Sequence, residues 1–337
     1  MSKRNMKQWV AQQISGNKKQ ALPILSFPCV QLLDISVKAL ISDSTLQAKG
    51  MKTIADRVPT GAAVSFMDLS VEAECFGSAI RVIEGEVPTV VGAIVSTPEE
   101  ADELVIPEIG SGRTGLYINT IEEATKLITD RPVFAGMIGP FSLAGRLMDV
   151  SEAMIYCYDE PEMVHTVMDK VTNFLIGYCC AYKAAGANGV MIAEPLAGLL
   201  SPTLAQEFAH PYAKRIIEAV QDESFAVIYH NCGDNAALMT DDIYALGAAG
   251  YHFGDAIDLA SVLRNAPKDV LVMGNVSPSR QFCNGTPTTI AEETRRILDN
   301  CSGYPNFIIS SGCDIPPLSS WENIDTFFKT VQSFYGA

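Results

Sequence analysis

The sequence has few basic residues and no long apolar run. Its 337 residues include 24 Lys and Arg against 39 Asp and Glu, which gives a net charge of −15. A surface this negative repels a phosphate backbone, so we expect no sequence-independent binding of nucleic acid. No window approaches the roughly 18 consecutive apolar residues of a membrane span, so we expect no membrane association.

The basic residues are concentrated at the start of the chain. Residues 1–20 contain five basic residues and no acidic one, and we interpret them as a basic N-terminal helical segment. No apolar stretch of the kind found in a secretory signal follows them. The chain has nine cysteines, an odd number, and 48% hydrophobic residues. Together these features predict a reduced, cytoplasmic protein with a large core.

No low-complexity linker divides the rest of the chain. Short apolar runs alternate with longer segments of helical periodicity, which is the pattern of βα units and a parallel sheet. The predicted strands are residues 22–27, 63–67, 133–137, 189–192, 226–229, 250–253, 270–273 and 307–309. Eight strands alternating with helices predict an α/β fold, a single-domain (β/α)8 TIM barrel over residues 21–337.

One segment interrupts this alternation after the second predicted strand. Residues 74–116 contain short β-like runs at 79–83 and 90–95, together with Gly and Pro. We interpret them as an insertion that contains a β-hairpin and lies over one end of the barrel. The alternative is an irregular loop without a role.

Three potential metal ligands follow predicted strands. In such barrels, chemistry takes place on the loops after the carboxyl ends of the strands. His230 and Cys232 follow the fifth run, and in an extended segment they point to the same side. Cys313 follows the eighth run. One imidazole and two thiolates suit zinc, and three protein ligands leave a position open, as in catalytic sites. Alternatively, the cysteines only fill the core.

Polar residues at other strand ends are candidates for substrate binding. One of them is Asn275, for which a role in forming a turn fits the sequence equally well. Either Asp255 or Glu194 would be able to supply an exchangeable fourth zinc ligand. Asp234 and Asp314 closely follow metal ligands, and we expect one of them to hydrogen-bond the His230 ring. The four predicted substrate-binding residues are Asp68, Glu194, Asp255 and Asn275.

Several strings of residues resemble the uroporphyrinogen decarboxylase superfamily. They are residues 230–233 (HNCG), 274–278 (GNVSP), 311–317 (SGCDIPP), 67–77 (MDLSVEAECFG) and 139–144 (GPFSLA). The similarity extends from about Pro23 over nearly the whole chain. It is stronger to the corrinoid-dependent branch, the methylcobamide:coenzyme M methyltransferase type, in which His-x-Cys with a distant Cys binds zinc.

The resemblance implies a zinc-dependent methyltransferase with one barrel. Zinc held by His230, Cys232 and Cys313, the implied catalytic residues, would activate a thiol acceptor such as coenzyme M. The methyl donor would be a methylated corrinoid, either methylcobalamin or a corrinoid protein. The chain contains no Asp-x-His-x-x-Gly string. We therefore expect the corrinoid to be carried by a partner.

Two departures from the family pattern keep alternatives open. Decarboxylases of the superfamily carry arginines after the first strand, whereas residues 26–31 here read SFPCVQ. Coenzyme M-type enzymes have a Ser-x-Glu-like string where residues 252–255 read HFGD. The acceptor is therefore not fixed as coenzyme M. The alternative functions are a metal-independent tetrapyrrole decarboxylase and a non-catalytic binding component of a corrinoid system.

Overall fold

The computed structural model describes residues 4–336. The predicted segments 1–20 and 21–337 thus include residues 1–3 and 337, which lie outside the described residues. The strands are β1 Ala63–Val64, β2 Ala79–Arg81, β3 Thr89–Val91, β4 Val133–Ile138, β5 Gly189–Ala193, β6 Ala226–Asn231, β7 Gly250–Phe253, β8 Leu271–Val276 and β9 Phe307–Ser311.

Helices fill most of the chain between the strands. They are α1 Met6–Ser15, α2 Cys29–Leu33, α3 Val37–Leu40, α4 Ser44–Arg57, α5 Val71–Cys75, α6 Pro98–Glu103, α7 Arg113–Leu127, α8 Pro140–Met148, α9 Val150–Asp159, α10 Pro161–Ala184, α11 Pro202–Phe208, α12 His210–Val220, α13 Thr240–Tyr244, α14 Leu259–Asn265, α15 Pro287–Cys301 and α16 Trp321–Tyr335. Within residues 4–336 no helix is both long enough and apolar enough to cross a membrane.

Seven strands form one parallel sheet in the order β1-β4-β5-β6-β7-β8-β9. Every residue of these strands is buried. Parallel strands are covered on both faces, which is why they read as continuous apolar runs in the sequence. The sheet curls, so that its carboxyl ends surround a common mouth, and the architecture is α/β and barrel-like. Seven of the eight predicted strands are present.

The first predicted strand, residues 22–27, is the exception. Its start occupies the gap between β9 and β1, because Leu22 N–H donates to the Ile309 carbonyl (3.0 Å) and Gly61 N–H donates to the Ala21 carbonyl (2.9 Å). No regular ladder forms there. Pro23 has no N–H to donate. Serine hydroxyls of β9 replace main-chain partners, since Ser310 Oγ donates to Leu22 O (2.8 Å) and Ile24 N–H donates to Ser311 Oγ (3.0 Å). We call this contact the seam.

Helix α1 covers the end of the barrel opposite the mouth. Met6 N–H donates to the carbonyl of Glu223, in the loop that precedes β6. Trp9 packs against Phe134 of β4 with ring centroids 5.8 Å apart. One apolar cluster thus joins α1 to side chains inside the barrel, while a larger cluster fills the space between the sheet and the outer helices. The separation of residues 1–20 as a segment of their own stays a prediction.

Between β1 and β4 the chain makes a short antiparallel pair. Ala79 is opposite Val91 and Arg81 is opposite Thr89. Residues 74–116 also contain α6 and the start of α7, so the segment is partly helical. The backbone N–H groups of Ile94 and Val95 donate to the carbonyl of Leu147, at 2.8 and 3.0 Å, and this attaches the segment to α8.

Candidate metal centre

The three predicted metal ligands meet at the mouth of the barrel. His230 is the penultimate residue of β6, Cys232 follows that strand, and Cys313 follows β9. One ligand atom from each side chain lies within 4.8 Å of the other two. His230 is buried, whereas both cysteines are partly exposed at the mouth. The structure therefore brings together cysteines that are separated by 80 residues in the sequence.

Close approach of neighbouring loops creates this geometry. A Cβ on Gly254, after β7, would lie 2.6 Å from both Cα and Cβ of Cys232. No real side chain tolerates that distance, so glycine at position 254 allows the two loops to pack against each other. The same packing holds Cys232 within reach of Cys313.

The two thiols lie within 4.8 Å of each other. Interaction with the Cys313 thiol lowers the pKa of Cys232, while the same interaction, together with burial, raises the pKa of Cys313 to about 12. One thiol of the pair therefore ionises before the other. Metal binding by cysteine requires thiolates, so a cation would displace the thiol protons.

The imidazole of His230 has one nitrogen occupied and one free. Its Nδ1 lies 2.7 Å from Nδ1 of His252 and 3.2 Å from the carbonyl oxygen of His252. Its Nε2 is buried and has no hydrogen-bond partner among residues 4–336. A buried polar atom without a partner is costly unless a ligand completes it. The prediction that Asp234 or Asp314 would contact this ring was wrong.

His252 extends the contact across the sheet. Its position on β7 pairs in register with His230 on β6, and its Nε2 lies 2.7 Å from Ser310 Oγ on β9. The ring is completely buried. Burial, with His230 as neighbour, holds the pKa of His252 well below its usual value, so the ring is neutral. This contact was not predicted from the sequence, where its only signal is a histidine at the equivalent end of the next strand.

This donor set fits zinc. An unpartnered imidazole nitrogen and two sulfurs are borderline-soft ligands, and together they offer three of the four positions of a tetrahedral site. Asp255 and Glu194, the predicted sources of a fourth ligand, do not join the cluster in the part of the chain that the structure describes.

Asp68 follows β1 and is bound by protein groups on both oxygens. Oδ1 accepts from Ser70 N–H (3.1 Å) and Ser70 Oγ (2.6 Å). Oδ2 accepts from Tyr117 OH (3.0 Å) and from Arg113. Both Arg113 and Tyr117 lie on α7, and no sequence pattern indicated that they would contact Asp68. The substrate-binding role of Asp68 stays a prediction.

Glu194 follows β5 and caps a helix. Its oxygens accept from the backbone N–H groups of Phe141 (3.0 Å) and Ser142 (2.6 Å) in the first turn of α8. Helix N-termini favour a negative group in this position. Burial nevertheless raises the pKa of Glu194 to about 7. Glu72 lies nearby, and burial raises its pKa to about 7 as well.

Asn275 and Asp255 lie on neighbouring loops at the mouth. Asn275 Nδ2 donates to the carbonyls of Gly254 (2.8 Å) and Ile257 (2.7 Å), and so braces the loop that carries Asp255. The carboxylate of Asp255 is one-third exposed and lies 3.4 Å from Arg280. Asp255 therefore faces the solvent at the mouth, while Asn275 orders its loop. Their contact with a substrate stays a prediction.

Comparison with known proteins gives a consistent family assignment. Methylcobamide:CoM methyltransferase MtbA of Methanosarcina acetivorans is 26% identical over 278 residues, covering 79% of this chain and 78% of that protein. Uroporphyrinogen decarboxylase of Alcanivorax borkumensis is also 26% identical, over 285 residues that cover 82% and 80%. A solved structure described as a methyltransferase from Methanosarcina mazei shares the fold, with a TM-score of 0.86, 21% identity and coverage of 98% and 99%.

A family model also matches this chain. The model described as Uroporphyrinogen decarboxylase (URO-D) matches residues 20–334, which is nearly the whole chain. Both relatives compared by sequence carry the names of enzymes, one a methyltransferase and the other a decarboxylase. The chain belongs to the uroporphyrinogen decarboxylase (URO-D) family.

Proposed function

We propose that this protein is a zinc-dependent methyltransferase that moves a methyl group from a methylated corrinoid to a thiol acceptor. The observation that carries the proposal is the cluster of His230, Cys232 and Cys313, with its unpartnered Nε2 and its partly exposed thiols. The similarity to methylcobamide:CoM methyltransferases supports it. Coenzyme M, or a similar thiol, is the proposed acceptor.

The three side chains would hold the metal at the mouth and leave one position open towards the solvent. Zinc bound there supplies a Lewis acid that lowers the pKa of a substrate thiol. In the transfer, the acceptor sulfur forms a bond to the methyl carbon while the cobalt–carbon bond breaks. The bonding electron pair remains on cobalt, which leaves as Co(I). The thiol proton is released to the solvent.

The surrounding residues would orient the two substrates. The braced loop after β7 places Asp255 at the mouth beside Cys232, and Asn275 fixes that loop. Orientation of the reactants accounts for much of the rate of such displacements. We propose that a separate corrinoid protein presents the donor at the mouth and that the reaction takes place in the cytoplasm.

Methyl transfer with purified components tests this proposal. The protein is incubated with zinc, methylcobalamin and a panel of thiols that includes coenzyme M, and the methyl thioether is quantified by mass spectrometry. About one zinc per chain is expected in the wild type, as in other mononuclear sites. Cys232→Ala is expected to lose both metal and turnover. Cys180→Ala, which removes an exposed thiol on α10, is the matched control.

Each competing function gives a different result in this experiment. Full turnover by metal-free Cys313→Ala would contradict the mechanism. Release of carbon dioxide from a porphyrinogen, unaffected by loss of Cys232, would identify a decarboxylase. Binding of methylcobalamin without turnover on any thiol, with the cysteines dispensable, would identify a non-catalytic component.

A further inference from the structure

Two histidine rings, His230 and His252, meet inside the barrel wall without a charged partner between them. Their Nδ1 atoms are 2.7 Å apart, so one of the two nitrogens carries a proton and the other accepts it. Both side chains are at least 98% buried, and water therefore does not compete for the contact. Which ring donates decides which nitrogen of His230 is free for a ligand.

The contact with the His252 carbonyl gives a first answer. His230 Nδ1 lies 3.2 Å from that oxygen, and a carbonyl can only accept a hydrogen bond. His230 Nδ1 therefore carries the proton and donates it. Its Nε2 then has a free lone pair, because a neutral imidazole carries one proton.

The hydrogen bonds of Ser310 lead independently to the same assignment of protons to the two rings. Ser310 Oγ donates its proton to the carbonyl of Leu22 (2.8 Å), so this hydroxyl accepts from His252 Nε2 at 2.7 Å. His252 therefore holds its proton on Nε2 and presents an unprotonated Nδ1 to His230. The contacts of the His252 carbonyl and of Ser310 therefore give the same position for every proton between Leu22 and His230.

We propose that His252 and Ser310 are positioning residues that fix His230 in the tautomer whose Nε2 can bind a metal. The inference rests on the proposed function only in taking zinc as the ligand. The chain of hydrogen bonds begins at Leu22, so the seam that completes the barrel also sets the protonation of the metal ligand. Neither His252 nor Ser310 belongs to the cluster of His230, Cys232 and Cys313.

The alternative tautomers are unfavourable in this setting. If His252 carried its proton on Nδ1, its Nε2 would be able only to accept a hydrogen bond. The contact between Nε2 and Ser310 Oγ would then have no donor unless the hydroxyl turned away from Leu22. His230 would then accept on Nδ1 and carry a proton on Nε2, the atom that must face the metal. Partners of this kind change metal affinity by about 10- to 100-fold in other sites.

Two adjacent serines of β9 provide a matched pair of variants. Ser310→Ala and Ser311→Ala each remove one buried hydroxyl that links β9 to the seam, from Leu22 and Ile24 respectively. Only Ser310 belongs to the chain that reaches His230. Zinc affinity is measured by competition with a chromophoric chelator. Ser310→Ala is expected to bind zinc about 10- to 100-fold more weakly. Ser311→Ala is expected to stay within about twofold of wild type.

The tautomer itself is measurable without metal or turnover. The chain has four histidines, so selective 15N labelling gives four rings to assign by NMR. In the metal-free wild type, His230 is expected to be protonated on Nδ1 and unprotonated on Nε2. His252 is expected to show the opposite pattern. This measurement decides the inference even if Ser310→Ala does not fold.

The outcomes separate this inference from the proposed function. A protonated Nε2 on His230, unchanged zinc affinity in Ser310→Ala, or an equal loss in Ser311→Ala would overturn the positioning role. Failure of the wild type to bind zinc would overturn the proposed function. The NMR measurement of the two ring tautomers would then still test the proposed hydrogen bonds between Leu22 and His230.

Discussion

Arg113 at the start of α7 forms a buried ion pair with Asp68 in the segment that follows β1. The side chain of Asp68 is fully buried and that of Arg113 is 15% exposed. Arg113 also binds Glu74 and donates to Ser70 Oγ at 2.8 Å. One guanidinium thus ties the segment after β1 to the barrel, and its removal would leave a carboxylate buried without a cation.

Arg113→Met is expected to lower the free energy of unfolding by about 3–5 kcal/mol, because an uncompensated buried charge is left behind. Urea denaturation followed by circular dichroism measures this change. Arg215→Met is the control, since Arg215 and its partner Asp169 are both largely exposed, and a surface pair contributes about 1 kcal/mol or less. Equal losses in the two variants would contradict a special role for the buried pair.

Glu72 is expected to make stability depend on pH. Burial raises its pKa to about 7, with a smaller contribution in the same direction from Asp68 and an opposing one from Arg146. The pKa of a glutamate in the unfolded chain is about 4.3. Between pH values of about 4.3 and about 7, Glu72 therefore holds a proton in the folded protein that it releases in the unfolded chain. The free energy of unfolding therefore falls as pH rises through this window, by an amount on the order of 3 kcal/mol.

Glu72→Gln removes this titration and is expected to be less destabilised than wild type on going from about pH 5 to about pH 8. Urea midpoints at the two pH values measure the difference. Glu194, whose pKa is raised to about 7, also mainly by burial, leaves some of the pH dependence in the variant. Glu152→Gln, at an exposed position, is the control. An identical pH dependence in Glu72→Gln and wild type would refute the assignment.

Trp9 is expected to stabilise the barrel from the end opposite the metal centre. Trp9→Ala removes a buried ring that packs on Phe134, and a loss of about 3–5 kcal/mol is expected. Thermal unfolding measures the loss, and Gln12→Ala on the exposed side of α1 is the control. Zinc content should be unchanged in folded Trp9→Ala. Unchanged stability would show that α1 is not part of the folded core.

The sequence predicted most of the sheet for a clear physical reason. Strands buried on both faces read as apolar runs, and six of them, from β4 to β9, lie where such runs occur. The first predicted strand, residues 22–27, was wrong because Pro23 and the hydroxyls of Ser310 and Ser311 replace a regular ladder. An apolar run does not reveal which hydrogen bonds its backbone will make.

The candidate site could be predicted only in part. His-x-Cys is a local pattern and Cys313 follows the eighth predicted strand, so the three candidate ligands were visible in the sequence. The contact of His230 with His252 depends on the register between β6 and β7, which no single segment encodes. The Asp68–Arg113 pair likewise joins residues 45 positions apart, across a segment without a regular pattern.

The seam determines which part of the barrel folds last. It joins residues near the start of the chain to residues near its end, since Leu22 binds Ile309 and Ile315 N–H donates to Ile24 O (3.0 Å). Contacts so distant in sequence carry a large loop-closure entropy and form late. During synthesis His230 and Cys232 leave the ribosome long before Cys313. A nascent chain therefore holds two of the three candidate ligands before the sheet is complete, and the cluster of three exists only in the completed protein.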